Sequence, residues 1–352
     1  MSATSGSEDQ ELIASDLTVA VCTFNGARFI EDQLRSILNQ TLLPCEILVS
    51  DDGSTDGTLD RINAVFADRP HHAQPIRLVV LPARGAPLGP ARNFEYALNR
   101  ATTELIALSD QDDIWEPDRL ARGTALLREH AETWLVASNT TLIDSTGAPL
   151  PGSSFSIFGV RDDELQGLRS QDVLPALVRR NFVQGMTFIL RRDLLDFAGA
   201  APPPFLHDYW LAICAAAVGR MRILEAPLVR YRLHGGNVVG GGERSAVLRT
   251  LKRAHWFITH PRSGTPRRLM EWNAVERRLG GAELPSREAE LLARKVAFER
   301  ERFRGTRSLS AHLEAVRRLR RSGAYEELDR DGNRAVLEDL LWRRSRGPTG
   351  SG

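Results

Sequence analysis

Short apolar runs alternate with amphipathic stretches through the first 130 residues of the chain. Residues 17–24 (LTVAVCTF), 46–50 (EILVS), 76–81 (IRLVVL) and 104–109 (ELIALS) are short, rich in β-branched residues and bounded by turn-forming residues, the signature of buried strands. Between them, Phe29, Ile30, Leu34, Ile37 and Leu38 recur at helical spacing, as do Leu59, Ile62, Val65 and Phe66. Further helices are expected near 91–101 and 117–130, with a Gly/Pro-rich loop over 82–90. Asp56 and Asp118 stand where N-caps are expected. Four strand–helix alternations with short crossovers predict an α/β fold with a doubly wound, mainly parallel sheet.

The second half is less regular. It predicts strands near 134–143, 185–190 and 221–231, helices near 171–180 and 208–218, and a turn-rich loop over 147–157. The Gly-rich stretch 235–242 marks a boundary. The expected organisation is a tail at 1–15, a catalytic-type domain at 16–242, a basic helical region at 243–346 and a tail at 347–352.

Charge sharpens that division. Residues 1–242 carry 21 basic and 30 acidic side chains, a net of −9, and residues 243–352 carry 25 and 15, a net of +10. Arg317, Arg318, Arg320 and Arg321, and then Arg343, Arg344 and Arg346, are interleaved with Trp256, Phe257, Trp272, Phe303, Leu313, Leu319 and Trp342. Such helices fit either a solvated basic face packed on the rest of the protein or peripheral docking on an anionic membrane. Three cysteines without paired spacing argue against a disulfide framework or a zinc site. The acidic, Ser-rich start is unlike a signal peptide, and no apolar run approaches the roughly 18 residues of a spanning helix. The expected compartment is the cytoplasm, with the inner face of the plasma membrane as the place of any peripheral association.

In a parallel α/β sheet, ligands bind beyond the carboxyl ends of the strands. Two acidic clusters fall there: Asp51-Asp52 after the second strand and Asp110-Gln111-Asp112-Asp113 after the fourth. A strand-end aspartate is often no more than a cap or a turn, but three carboxylates this close repel one another unless a cation compensates. Mg2+ or Mn2+ binding through one or two carboxylates plus substrate phosphates matches that composition.

Thr23-Phe24-Asn25-Gly26, Asp51-Asp52-Gly53-Ser54-Thr55-Asp56, Ser109 through Trp115 and Tyr231-Arg232-x-His234-x-x-Asn237 together resemble the family 2 inverting glycosyltransferases of GT-A fold. The likeness covers roughly residues 17–240 and is closest to a bacterial rhamnosyltransferase-like group that decorates cell-surface polysaccharides. It implies a nucleoside-diphosphate sugar as donor, a glycan or lipid-linked saccharide as acceptor, and a GT-A sheet followed by a C-terminal helical region. Thr23, Phe24, Asn25, Asp51, Asp52, Arg92, Asp110 and Gln111 would then contact the nucleotide sugar. Asp112 is the first choice as metal ligand, joined by Asp110 and His234, while Asp113 is either a second ligand or a helix cap. Asp208, in His207-Asp208-Tyr209-Trp210, would be the catalytic base, a role compatible with capping the helix it opens. His207 fits either a neighbour of that base or an ordinary loop histidine. Arg230 or Arg232, alternating outward, would reach phosphate. Gln184, Tyr209, Trp210 and Trp115 are candidates for the acceptor side, with Trp115 equally suited to the core. No QxxRW segment of processive synthases is present, so addition of one sugar is expected. Two alternatives are a sugar-phosphate nucleotidyltransferase and a non-catalytic carbohydrate-binding or scaffold protein on the same fold. The first would want a Gly-rich loop with Arg and Lys where CTFNGARF stands, and the second would have lost Asp110, Asp112 or Asp208.

Overall fold

The computed structural model describes residues 12–69, 75–235, 264–304 and 309–340. The first part of the expected N-terminal tail, the expected boundary at 236–242 with Asn237, Trp256 and Phe257, and the segment with Arg343, Arg344, Arg346 and the last tail lie outside them. By contact density the chain divides into two compact units that interleave along the sequence. One comprises 1–157, 183–200 and 221–232, the other 158–182, 201–220 and 233–352.

The first unit holds a nine-stranded sheet in the order β3-β2-β1-β4-β8-β6-β9-β5, with β7 added beside β6. Its strands are β1 (Leu12–Thr23), β2 (Leu42–Asp51), β3 (Arg77–Val80), β4 (Leu105–Ser109), β5 (Ile114–Trp115), β6 (Leu135–Asp144), β7 (Pro149–Ser153), β8 (Ile189–Arg191) and β9 (Met221–Leu233). The four predicted N-terminal strands are mutually parallel, with β1 between β2 and β4. Beyond β4 the pairing turns antiparallel, at β4–β8, β6–β8, β6–β7 and β5–β9. The expected mixed sheet is therefore present, and its parallel half carries the acidic strand ends. Val19, Val21, Ile47, Val49, Ile106 and Leu108 are buried in it, which is why these runs read as uniformly apolar rather than alternating.

Helices α1 (Ile30–Leu38), α2 (Thr58–Ala67), α3 (Pro90–Leu98) and α4 (Arg119–Glu129) stand where the periodicity put them. Ile30, Leu34, Ile37 and Leu38 are the buried stripe of α1. Several details differ from expectation. Strand pairing reaches back to Leu12, inside the expected tail, with an irregularity before Thr18. The 147–157 loop contains β7 and the short helix α5 (Ser154–Ile157). The strand expected at 185–190 begins as a single 3-10 turn, Gly185–Thr187, before β8, and α8 (Asp193–Ala198) was not foreseen.

The second unit is helical. It contains α6 (Asp162–Arg169), α7 (Leu174–Arg179), α9 (His207–Ala217) and the helices Gly264–Leu279, Ser286–Arg304, Leu309–Arg321, Ala324–Leu328 and Asn333–Leu340. The helix expected near 171–180 is α7, and α6 before it was not foreseen; the two are separated around Gln171, whose φ of 63° is a helix-breaking conformation. Helix α9 is apolar almost all round and packs against α7 and the helices at 264–279 and 286–304. No helix among the described residues is long and apolar enough to cross a membrane.

Candidate functional site

The site is built where β1, β2 and β4 end side by side. Thr23 closes β1 and donates its hydroxyl to Asp51 Oδ1 at 2.7 Å, tying two strand ends together. Asn25 follows with φ 48°, a left-handed conformation that asparagine tolerates better than most residues, and its side-chain oxygen accepts the Thr55 amide at 2.9 Å. Asp56 stands one residue before the N-cap position of α2, which Gly57 occupies, yet its side chain still takes the first amide of that helix. Its carboxylate takes the Ala27 and Thr58 amides, so it ties the loop after β1 to the start of α2.

Asp51 accepts four hydrogen bonds, from the Thr23 hydroxyl on β1 and, within its own turn, from the Ser54 hydroxyl and the Gly53 and Ser54 amides. Asp52 is buried and takes Arg84 Nη2 at 3.0 Å, the Leu88 amide at 2.8 Å and the Gly89 amide at 2.7 Å. A carboxylate offers about four acceptor positions, so both aspartates work chiefly as loop organisers. Arg84 is the arginine that sequence reasoning missed. From the 82–90 loop it also reaches the Ser50 hydroxyl, the Asp51 carbonyl and the Asn93 side chain, and it lies over the Tyr96 ring. A lone arginine in a Gly/Pro-rich loop gave no periodic signal. Arg92 lies exposed on the first turn of α3.

Gln111 bridges the acidic run to the end of β1. Its Oε1 accepts the Phe24 amide at 2.8 Å and its Nε2 donates to the Phe24 carbonyl at 3.0 Å, a two-bond clamp on one residue's backbone. The Phe24 ring is left 49% exposed. A Cβ at Gly26 would collide with the Gln111 amide, so a larger residue there would displace this clamp.

Asp110, Asp112 and Asp113 each offer a carboxylate oxygen within 4.8 Å of the others, the one such group of metal-ligand type among the described residues. Asp110 and Asp112 are half-buried and Asp113 is fully buried. Asp113 caps nothing, since α4 starts six residues later. Its Oδ1 accepts the Arg232 amide at 3.0 Å and its Oδ2 is buried without a partner. Burial, then the charges of Asp112 and Asp110, push the Asp113 carboxyl well above the usual carboxylate range. A buried carboxylate oxygen without a donor beside two further carboxylates is the donor set that a hard divalent cation takes.

Burial and side-chain pairing decide five of these expectations. Arg232 does not point outward: it is 2% exposed, and its guanidinium donates to the Asp112 carbonyl and to Asp32. Arg230 is exposed but forked onto Glu116 at 2.7 and 3.0 Å. Trp115 is 2% exposed with the Arg119 guanidinium 3.6 Å over its ring, so it is core and offers no face to a sugar. Trp210 is equally buried, its ring tilted against that of Phe205. Asp118 is the N-cap of α4 by position but pairs with Arg122 rather than bonding the helix backbone.

In the helical unit, Asp208 sits in the first turn of α9, one residue inside the start, and accepts its neighbour Tyr209's amide at 2.6 Å and Asn181 Nδ2 at 3.4 Å. Tyr209 donates its hydroxyl to the Leu177 carbonyl at 2.8 Å, pinning α9 to α7. His207 is buried, which draws its imidazole pKa down against the pull of Asp208. His234 is half-buried and directly follows β9. Gln184 precedes the 3-10 turn with its side-chain oxygen buried and unpartnered.

A parallel strand set that turns antiparallel beyond β4, with an acidic run at the β4 end, defines a GT-A-like α/β domain. Residues 18–192 match the family model Glycosyl transferase family 2, so the chain carries a glycosyl transferase family 2 domain. An uncharacterised glycosyltransferase of Nostoc sp. (strain PCC 7120) is 25% identical over 229 residues, 63% of this chain and 66% of the relative. The dTDP-rhamnosyl transferase RfbG of Shigella flexneri is 27% identical over 233 residues, 62% of this chain and 73% of that protein. The chain spans 66% and 60% of the length of the first curated relatives it matches. Among solved structures, residues 1–349 of Staphylococcus aureus TarS share the fold with a TM-score of 0.54 and 17% identity, covering 92% of this chain and 88% of that one. The mannosyltransferase PcManGT of Pyrobaculum calidifontis, solved with GDP-Man and Mn2+, has a TM-score of 0.51 and 18% identity over 92% of this chain and 84% of its own.

Proposed function

We propose that the protein transfers one glycosyl residue from a nucleoside-diphosphate sugar to a hydroxyl of a glycan or lipid-linked saccharide, with inversion at the anomeric carbon. The observation that carries this is the buried, partnerless oxygen of Asp113 beside the Asp110 and Asp112 carboxylates at the end of β4. Asp112 is the principal ligand for Mg2+ or Mn2+ in this reading, with Asp110, Asp113 and His234 as further contacts. A divalent cation bound there would neutralise the charge that develops on the leaving diphosphate. The Mn2+ and GDP-Man bound to the similarly folded mannosyltransferase support that reading.

Thr23, Phe24, Asn25, Asp51 and Asp52 form the nucleoside end, the two aspartates acting through the loops they hold, and Gln111 acts by fixing Phe24. Arg92 is free to meet a phosphate. Asp208 is the general base. The acceptor O–H proton passes to its carboxylate as the new C1–O bond forms, and the old C1–O bond breaks with its electron pair leaving on the diphosphate oxygen. Tyr209 and Gln184 are retained on the acceptor side. The likeness to a dTDP-rhamnosyl transferase makes dTDP-rhamnose the first donor to try. The reading places the reaction in the cytoplasm or at the inner membrane face.

Calorimetry against a panel of nucleotide sugars, with Mn2+ and with chelator, tests it: one donor should bind in a cation-dependent way. Binding of none in either condition overturns the reading. Asp208→Asn should lose about 10²–10⁴-fold in turnover while keeping donor affinity; undiminished turnover would remove Asp208 from its role.

A further inference from the structure

Arg232 contacts the acidic run at two points, and neither of these bonds uses a carboxylate oxygen of Asp112. Its Nε donates to the Asp112 main-chain carbonyl at 2.7 Å, and its own amide donates to Asp113 Oδ1 at 3.0 Å. Its Nη2 reaches Asp32 Oδ2 at 3.1 Å on the outside of α1, and the guanidinium lies 5.0 Å from the centre of the Phe29 ring. Arg232 thus ties β9 to two other elements, the acidic loop through its amide and guanidinium and the first turn of α1 through its guanidinium. The loop it holds is otherwise short, with only two residues of β5 following Asp113 before the turn into α4.

Holding the carbonyl of residue 112 fixes the peptide plane between Asp112 and Asp113. With the peptide plane set, the Cα–Cβ direction of Asp112 is set, and the Asp113 carboxylate is oriented by the bond from the Arg232 amide. The Oδ2 of Asp113 is then the oxygen left over. A lysine cannot reproduce this, because the contact to a carbonyl on one side and a carboxylate on the other needs the planar, forked guanidinium.

We propose that Arg232 is a positioning residue for the cation site, fixing the Asp112–Asp113 peptide so that both carboxylates face one point. This rests on the cation-dependent reading above, and it concerns the geometry of that site rather than contact with the donor. Removing an outer-shell partner of a metal ligand typically weakens metal binding by about 10–100-fold.

The test is Mn2+ affinity by electron paramagnetic resonance, with Mn2+ alone as the probe, on the full chain. Wild type is compared with Arg232→Lys, Arg232→Gln and Asp32→Ala, and with Arg222→Gln as a control on the same strand, where the arginine pairs with Glu132 and Thr133. Arg232→Lys and Arg232→Gln should both bind Mn2+ about 10–100-fold more weakly. Asp32→Ala should shift affinity the same way by less, and Arg222→Gln should not shift it. A purely structural role would lower the melting temperature without changing Mn2+ affinity of the folded fraction. Equal Mn2+ affinity in wild type and Arg232→Lys overturns the proposal and leaves the enzyme reading standing, whereas no Mn2+ binding to wild type overturns the cation reading itself. Should the Arg232 variants not fold, Asp32→Ala decides, since Asp32 is 58% exposed: loss of affinity supports the proposal and unchanged affinity overturns it.

Discussion

The molecule buries ionised side chains in two places, and it treats them in opposite ways. In the helical unit, Lys295 donates to Glu299 and to the Leu328 carbonyl, both at 2.7 Å. Arg302 forks onto Asp339 at 2.8 and 3.1 Å and reaches Asp329 at 2.7 Å, and Arg268 meets Asp329 on another side. Three cations face three carboxylates, and the Tyr325 hydroxyl adds a further donor to Asp339. The one Glu299 oxygen without a hydrogen bond still lies 3.8 Å from Arg302. At the end of β4, by contrast, three carboxylates converge, and the buried Asp113 carboxylate forms no ion pair among the described residues. Balanced charge deep in a helical bundle costs about as much to desolvate as it returns, and its use is to fix how the helices mate. A buried carboxylate with no facing cation, such as that of Asp113, is destabilising unless it is protonated or something arrives from outside. The contrast separates architecture from binding, although both clusters are equally hidden in a list of charged residues.

The strongest way to break that contrast is Asp112→Asn. It should abolish cation-dependent transfer, with a loss of 10²-fold or more in turnover, about the scale of losing one strong electrostatic contribution to the transition state. Retained activity in chelator would show that the acidic cluster does not bind a functional cation. Next in size is Lys295→Met, which strands Glu299 and should cost about 3–5 kcal/mol in urea unfolding, whereas Lys295→Met combined with Glu299→Leu should recover most of that. If the single and double variants unfold alike, the helical cluster is not a matched set.

A third, smaller effect concerns pH. Asp113 has a folded-state pKa raised above its unfolded value, so its neutral form favours folding. In chelator the associated stability is fully present below the unfolded carboxylate pKa and is lost as pH rises through the raised one. Asp113→Asn should therefore stabilise the cation-free protein at neutral pH, by about 1–3 kcal/mol as for a buried unsatisfied group, and the ranking should invert when Mn2+ is added. Thermal melts at pH 4 and pH 8, with and without Mn2+, read both signs at once. The smallest effect is expected for Gly26→Ala, which forces Gln111 off the Phe24 backbone. Donor affinity should fall by the worth of two neutral hydrogen bonds, about 1–3 kcal/mol at most, and Gln111→Ala should add little on top.

Much of this was legible before any coordinates. The β-branched runs of β1, β2 and β4 and the stripe Ile30, Leu34, Ile37 and Leu38 are local patterns, and local patterns survive folding when neighbouring elements agree with them. The acidic clusters stood at strand ends because parallel topology puts ligand-facing loops there. What escaped was decided over long separations. Arg232 alternates with Arg230 along β9, but one is buried against Asp112 and the other forks onto Glu116, and periodicity along a strand cannot tell them apart. Trp115 reads as a sugar platform or as core until the Arg119 guanidinium is found over its ring. Arg84 has no partner nearer in sequence than Asn93, and its grip on Asp52 closes a span of 32 residues. The two-residue β5 and the 3-10 turn before β8 were too short to leave a period.

The carboxylate of Asp52 also has a consequence for where the donor's charge can go. The Leu88 and Gly89 amides at the mouth of α3 are both spent on it. In many nucleotide-binding folds that mouth is the natural seat for a phosphate, since unpaired amides and the helix dipole welcome an anion. Here the protein has plugged the seat with a carboxylate of its own. A diphosphate entering this crevice would find the α3 amides taken and only the exposed Arg92 there, so most of its neutralisation would fall to a cation held by the acidic run. Attempts to engineer a metal-independent variant would therefore begin by unplugging Asp52, rather than by rebuilding Asp112.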